Sequence, residues 1–155
     1  MPRLSCPLSV VEATLTWLKA AGDHRRECVV LWLGQRQCDA VHIREAYRPE
    51  HIAEADRFHI PPAAMARLME HLRAKRFMVA AQVHSHPEEA FHSKADDAYA
   101  IVRHVGALSF VLPAFARRTT ASNFLADTAL YELAPGDLWK EVPAAMIGDK
   151  CTIVN

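Results

Sequence analysis

Apolar positions in the chain alternate between a helical period and a strand period, and the switches divide it into elements. Val10, Val11, Thr14, Leu15, Trp17, Leu18 and Ala21 fall on one stripe at helical spacing, which predicts a helix after a lead-in over residues 1–8. Ser9 and Glu12 have capping-box spacing at its start, and Gly22 suits its end. A polar turn, Asp23 to Arg26, leads to Cys28-Val29-Val30-Leu31-Trp32-Leu33. An unbroken apolar run of this kind reads as a strand covered on both faces, here opened by Glu27 and closed by Gly34. From Cys38 to Tyr47, Val41 and Ile43 alternate with His42 and Arg44, which predicts a strand with one solvent-facing side. Arg48 to Arg57 is polar, contains a proline and reads as a loop.

The second half repeats the theme. Phe58-His59-Ile60 reads as a short strand. Pro61-Pro62 opens a helix whose stripe is Met65, Leu68, Met69 and Leu72, with His71 and the basic run Arg73 to Arg76 at its negative pole. Phe77 to Val83 predicts a third buried strand. Ala98, Ile101, Val102 and Val105 predict a helix ending at Gly106, and Ala107 to Leu112 another strand stopped by Pro113. A loop over 114–123 precedes a strand whose clearest part is Leu130 to Leu133, and Pro135-Gly136-Asp137 is a turn. Leu138 to Val142 and Cys151 to Val154 read as short edge strands. The order predicts an α/β fold, one mixed sheet sandwiched by helices, as a single domain over residues 1–155.

Composition narrows the function classes. Eighteen basic and eighteen acidic residues cancel, and no basic block points to nucleic acid or an anionic membrane. No apolar run approaches the roughly 18 residues of a membrane span, and the first residues lack a signal-peptide layout. Cys6, Cys28, Cys38 and Cys151 have no CxxC spacing, so they are expected to be reduced thiols of a cytoplasmic protein.

The chemistry is concentrated in His84-Ser85-His86-Pro87-Glu88-Glu89-Ala90-Phe91-His92-Ser93-Lys94-Ala95-Asp96-Asp97. Two histidines one residue apart at a strand end put both imidazoles on one side of the backbone. Two histidines and a carboxylate make three ligands for zinc and leave a position for water, whose pKa the ion lowers. Hydrolysis also needs a base and a donor to the developing oxyanion, and Ser93 lies between the ligands. An HxH pair alone arises in strands by chance. HxHP followed by SxxD behind a buried strand is far more specific. HExxH of zincins and the HxE with CxxC of zinc deaminases are missing.

At these residues the sequence resembles the JAMM (MPN-plus, JAB domain) metalloproteases, zinc isopeptidases that remove ubiquitin and ubiquitin-like proteins. His84-Ser85-His86-Pro87 matches the first block of the family pattern and Ser93-Lys94-Ala95-Asp96 the second. Glu27, before a buried strand and Gly34, matches the upstream Glu. The resemblance covers most of the chain. It implies the MPN/JAB, cytidine-deaminase-like architecture and one zinc per chain held by His84, His86 and Asp96. It also implies Glu27 as general base and Ser93 as oxyanion donor. From the residues alone, Glu27 reads as a solvated strand edge, and it is the resemblance that makes it the general base. The spacing departs from the family at one place: counting from His86 lands on Asp97, counting from Ser93 lands on Asp96. Asp96 keeps the SxxD turn and is preferred. Asp97 is then a supporting or capping residue, and His92 a supporting group, a substrate contact or an exposed loop residue, the last two being preferred.

The chain is most like the small stand-alone bacterial members, some of them encoded beside ubiquitin-activating and ubiquitin-conjugating homologues in antiviral defence systems. That implies a ubiquitin-like protein or its conjugates as partner, in precursor processing or deconjugation, with no nucleic acid and no membrane. The alternatives are a hydrolase of other peptides or sulfur-carrier fusions with the same site, and a non-catalytic MPN scaffold.

Overall fold

Strand β2 (Val29–Gln37) sits in the middle of the sheet, and its alternation explains why the run around it is unbroken. Val30 and Trp32 pack into a cluster with Val10, Val11, Leu15 and Leu18 of helix α1 (Leu8–Asp23) on one face. Val29, Leu31 and Leu33 pack with Met65, Leu68 and Leu72 of helix α2 (Pro62–Lys75) on the other. Both faces of β2 are therefore dry from Val29 to Leu33, and only its far end, Gln35-Arg36-Gln37, carries polar residues. The structure, a computed structural model, describes residues 3–53, 58–91, 96 and 100–155, without the side chains of residues 52, 53 and 58.

The remaining strands are β1 (Arg3–Pro7), β3 (Ala40–Tyr47), β6 (Met78–Ser85), β7 (Leu108–Leu112), β8 (Ala129–Ala134), β9 (Leu138–Glu141) and β10 (Cys151–Val154), with a small hairpin of β4 (Ile52–Ala53) and β5 (Phe58–His59) apart from the main sheet. The eight-stranded sheet has the order β10-β1-β3-β2-β6-β7-β8-β9. β6 runs antiparallel to β2 and parallel to β7. β1 runs parallel to both β3 and β10. This is the mixed sheet between helices that the pattern predicted. Two short helices, α3 (Phe124–Asp127) and α4 (Ile147–Lys150), and two 3-10 turns, Ala114–Ala116 and Ala144–Met146, are also described.

Several local expectations need correction. The lead-in contains a strand, β1, whose Leu4 and Cys6 are buried between two parallel neighbours. No capping box forms: α1 starts at Leu8 behind Pro7, so Ser9 is already inside it and makes no cap. Gly34 does not end its strand, because β2 continues to Gln37. The register with β3 shifts between Leu33 and Gly34, and a Cβ at Gly34 would lie 2.2 Å from the His42 carbonyl oxygen. The glycine is there for a close backbone approach at a bulge. Met69 is on the exposed side of α2 rather than in its stripe. His71 bonds Glu45 across to β3, at 2.8 Å, instead of serving only the helix pole. Between 101 and 106 the chain makes bends and a turn, not a helix. Ala98 lies outside the described residues.

Gly22 is also something other than a stop. It is buried within α1, and a Cβ there would meet Cβ of Phe115 at 2.6 Å. Phe115 belongs to a tight turn, Ala114–Ala116, in which all three residues have positive φ, 52°, 53° and 58°. Left-handed backbone costs an L-residue roughly 1–2 kcal/mol. Here burial of Phe115 and Ala116 and two hydrogen bonds to the site loop offset that cost. Gly22→Ala is expected to destabilise the fold by about 1–3 kcal/mol, since neither Cβ is a flexible end that can swing away. Urea unfolding of the variant checks this. An unchanged midpoint would show that helix and turn can separate freely.

Candidate metal centre

β6 delivers the first two site residues. Val29 faces His84 in the antiparallel register, and Ser85 is the last residue of the strand. His84 is fully buried and His86 is 5% exposed. The chain just past β6 is held from both sides: His86 N–H donates to the Leu112 carbonyl at 2.9 Å, and its own carbonyl accepts from Phe115 N–H at 2.7 Å. Ala114 N–H donates to Glu88 oxygen at 2.9 Å. The left-handed turn after β7 thus fixes the segment that follows the histidines.

Asp96 comes to the two imidazoles. Its Oδ2 lies 3.3 Å from Nε2 of His84 and 3.0 Å from Nε2 of His86, and its side chain is buried. One ligand atom from each of the three residues lies within 4.8 Å of the others. The edge of a tetrahedron around an ion with bonds of about 2.0–2.1 Å is roughly 3.3 Å. The two O···N separations are therefore those expected of neighbouring ligands on one small cation. Two imidazole nitrogens and one carboxylate oxygen, with no thiolate, form a donor set suited to zinc. Three protein ligands leave a coordination position over, as a hydrolytic site requires. Ser93, His92 and Asp97 lie outside the described residues.

Glu27 comes from another strand. It is 4% exposed, so it is not the solvated strand edge that the bare sequence also allowed. Cys28, 57 residues from Ser85 in sequence, donates its N–H to Ser85 Oγ at 3.3 Å, and Ser85 N–H returns a bond to the Cys28 carbonyl at 3.2 Å. This pair carries the antiparallel register one step beyond β2. The next residue outward on one strand is Glu27 and on the other His86, so base candidate and metal ligand leave the sheet at the same level.

Ser85 was missed from the sequence. Its hydroxyl, between the two histidines, holds the Glu27 strand end in place. Only the pairing of β2 with β6 reveals that role. Gln82 was missed too. It is buried, accepts from Ile101 N–H at 3.0 Å and donates to Ser109 at 3.1 Å, which ties the segment after Asp96 to the sheet. A polar residue inside an apolar run was the signal available. Phe91 lies edge-on to His86, centroids 4.8 Å apart at 87°, and remains half exposed at the rim.

The cysteines take no part in the candidate centre. All four are free. Burial pushes up the pKa of Cys6, of Cys28 and of Cys151, the last to about 12. At neutral pH these three are thiols, and the thiolate is the nucleophile. Cys38 is exposed. Iodoacetamide is expected to label Cys38 alone in the native protein and all four in denaturant, read by intact mass. Rapid labelling of Cys28 in the native state would contradict its burial.

Comparisons with known proteins show the family and the fold. The profile of the Prok-JAB family, described as prokaryotic homologs of the JAB domain, matches residues 9–121. A curated relative, the probable metalloprotease y4jG of Sinorhizobium fredii (strain NBRC 101917 / NGR234), is 33% identical over 98% of this chain and 94% of its own. Among solved structures, the solution structure of protein DSY2949 from Desulfitobacterium hafniense superposes with a TM-score of 0.70 over 98% of this chain and 93% of that one. At 14% identity, that likeness concerns the fold.

Proposed function

The chain belongs to the Prok-JAB family, as a JAMM-type metallohydrolase, and from that premise we propose that it is a zinc-dependent isopeptidase or peptidase cleaving after the C-terminus of a ubiquitin-like protein. The observation that carries the reading is the convergence of His84, His86 and Asp96 in one buried group. A zinc ion held by these three would supply Lewis acidity and lower the pKa of the attacking water.

The residues of the chain divide the remaining work. Glu27 takes the proton from water and returns it to the leaving amine. Burial keeps its carboxylate away from bulk water. Ser93 donates to the developing oxyanion. Ser85 holds the Glu27 strand to the histidine strand. Phe91, half exposed next to His86, offers an apolar edge to the substrate tail.

The partners in this reading are a ubiquitin-like protein or its conjugates and homologues of ubiquitin-activating and ubiquitin-conjugating enzymes, in the cytoplasm, in a setting such as antiviral defence. Among the described residues no helix is long and apolar enough to cross a membrane. Measuring zinc by mass spectrometry, then assaying ubiquitin-like fusions against short peptides, tests the proposal. Stoichiometric zinc and cleavage at the tail of the ubiquitin-like protein support it. Cleavage of short peptides alone moves the substrate to other peptides. Metal without any turnover points to a scaffold.

A further inference from the structure

A groove opens beside Glu27, and none of the three metal ligands lines it. The end of α1 supplies its apolar wall, Trp17 and Ala21, and its rim carries Arg26, Arg48 and His51. Its volume is about 560 Å³. The charges around it are uneven. Arg26 and Arg48 are exposed, and among the described residues Glu27 is the one acidic residue in the lining. The arginine ion pairs among the described residues are made by Arg67 and Arg103, not by Arg26 or Arg48. His24 also lines the groove. The charge of Arg48 adds to the burial that lowers the pKa of His51 in the groove, and behind the groove it partly offsets the upward push of burial on the Cys28 thiol. The groove is thus a cationic recess that touches the proposed base.

We propose that this groove is a substrate subsite for a carboxylate, one carried by a residue next to the scissile bond. The inference deepens the peptidase reading and rests on it for the word substrate. Two guanidinium groups hold a carboxylate through charge-assisted hydrogen bonds, and the apolar wall covers the methylenes or backbone behind it. The Glu27 carboxylate at the inner end limits the charge the recess can take. A monoanion fits it better than a phosphate dianion. The carboxylate can be an acidic side chain, as in an internal Asp or Glu. It can equally be the free terminus of a short C-terminal extension.

Nuclear magnetic resonance on the full chain tests this without requiring turnover. Three probes are titrated: acetyl-Gly-Asp-Gly-amide, acetyl-Gly-Ala-Gly with a free terminus, and acetyl-Gly-Ala-Gly-amide. The Trp17 indole N–H and the backbone of Arg26 and Arg48 are followed. At least one charged probe is expected to bind ten-fold or more tightly than the neutral one, and which one does so identifies the source of the carboxylate. Arg26→Ala with Arg48→Ala is expected to erase the difference. Chelator-treated protein is expected to keep it, because the groove is not the metal site. Equal binding of all three probes, no loss in the double variant, or tighter binding of inorganic phosphate would each overturn the subsite. Cleavage is read separately, with Asp against Lys after the scissile bond of a ubiquitin-like fusion. The Asp substrate is expected to have at least a ten-fold lower KM, a difference lost in the double variant, and equal KM values would count against the subsite. Failure to cleave any fusion, with selective probe binding intact, would sink the peptidase reading and leave the anion site standing.

Discussion

Glu27→Gln is expected to lower turnover by about 10²–10⁴-fold while leaving the bound metal in place, the range lost when a positioned acid–base group is removed. The substitution keeps the shape of a residue that is buried beside the end of β6, so packing changes little. What disappears is the carboxylate's ability to take a proton from water and pass it to the leaving amine. A supporting role predicts something else. If Glu27 only braced the strand end, Gln would retain most activity and Ala would cost stability. Zinc content, urea unfolding and kcat measured on the same preparations separate the two outcomes. Near-full activity in the Gln variant, with metal bound, would remove Glu27 from the chemistry.

Asp96→Asn is expected to act one step earlier, on the metal itself. Asn presents a neutral carbonyl where the structure has one carboxylate oxygen between two imidazoles, 3.0 and 3.3 Å away. Loss of a directly ligating carboxylate should exceed the roughly 10–100-fold cost in affinity that removing an outer partner brings. Activity should fall with the metal and return in part when zinc is added in excess. Asp97→Asn is the matched control and should keep its zinc. The opposite pattern, metal lost in the Asp97 variant and kept in the Asp96 one, would reassign the ligand. Together the two experiments are diagnostic: Glu27→Gln holds metal without turnover, and Asp96→Asn loses both.

The spacing of the two histidines and most of the central strands and helices were legible because each is local. Two residues apart on a strand fixes which side both imidazoles take, whatever the strand pairs with. The apolar run around Trp32 and the stripe from Val10 to Leu18 are likewise properties of a few turns of chain. Strand β1 was not legible. Arg3 to Pro7 is too short and mixed to announce itself, and it becomes a strand because β3 and β10 flank it. The glycines were read as stops because glycine often ends elements. Gly22 and Gly34 instead admit backbone that comes from 93 and 8 residues further along the chain, at Phe115 and His42. No local rule contains those neighbours.

The sequence by itself determined the chemistry available to this protein: an HxHP pair, a carboxylate ten residues on and the period of each element. Those follow from residue type and spacing, which the chain carries before it folds. Only the tertiary structure decided how that chemistry is assembled. The pairing of β2 with β6 brings Glu27 to the level of His86, through the mutual bonds of Cys28 and Ser85. Packing buries that glutamate, where spacing alone left it at a solvated edge. The turn after β7 clamps the segment behind His86, and the end of α1 makes a cationic groove out of arginines that were unremarkable in sequence. Each of these depends on contacts between segments far apart in the chain. Sheet register and helix packing set such contacts collectively, so no short stretch of residues encodes them.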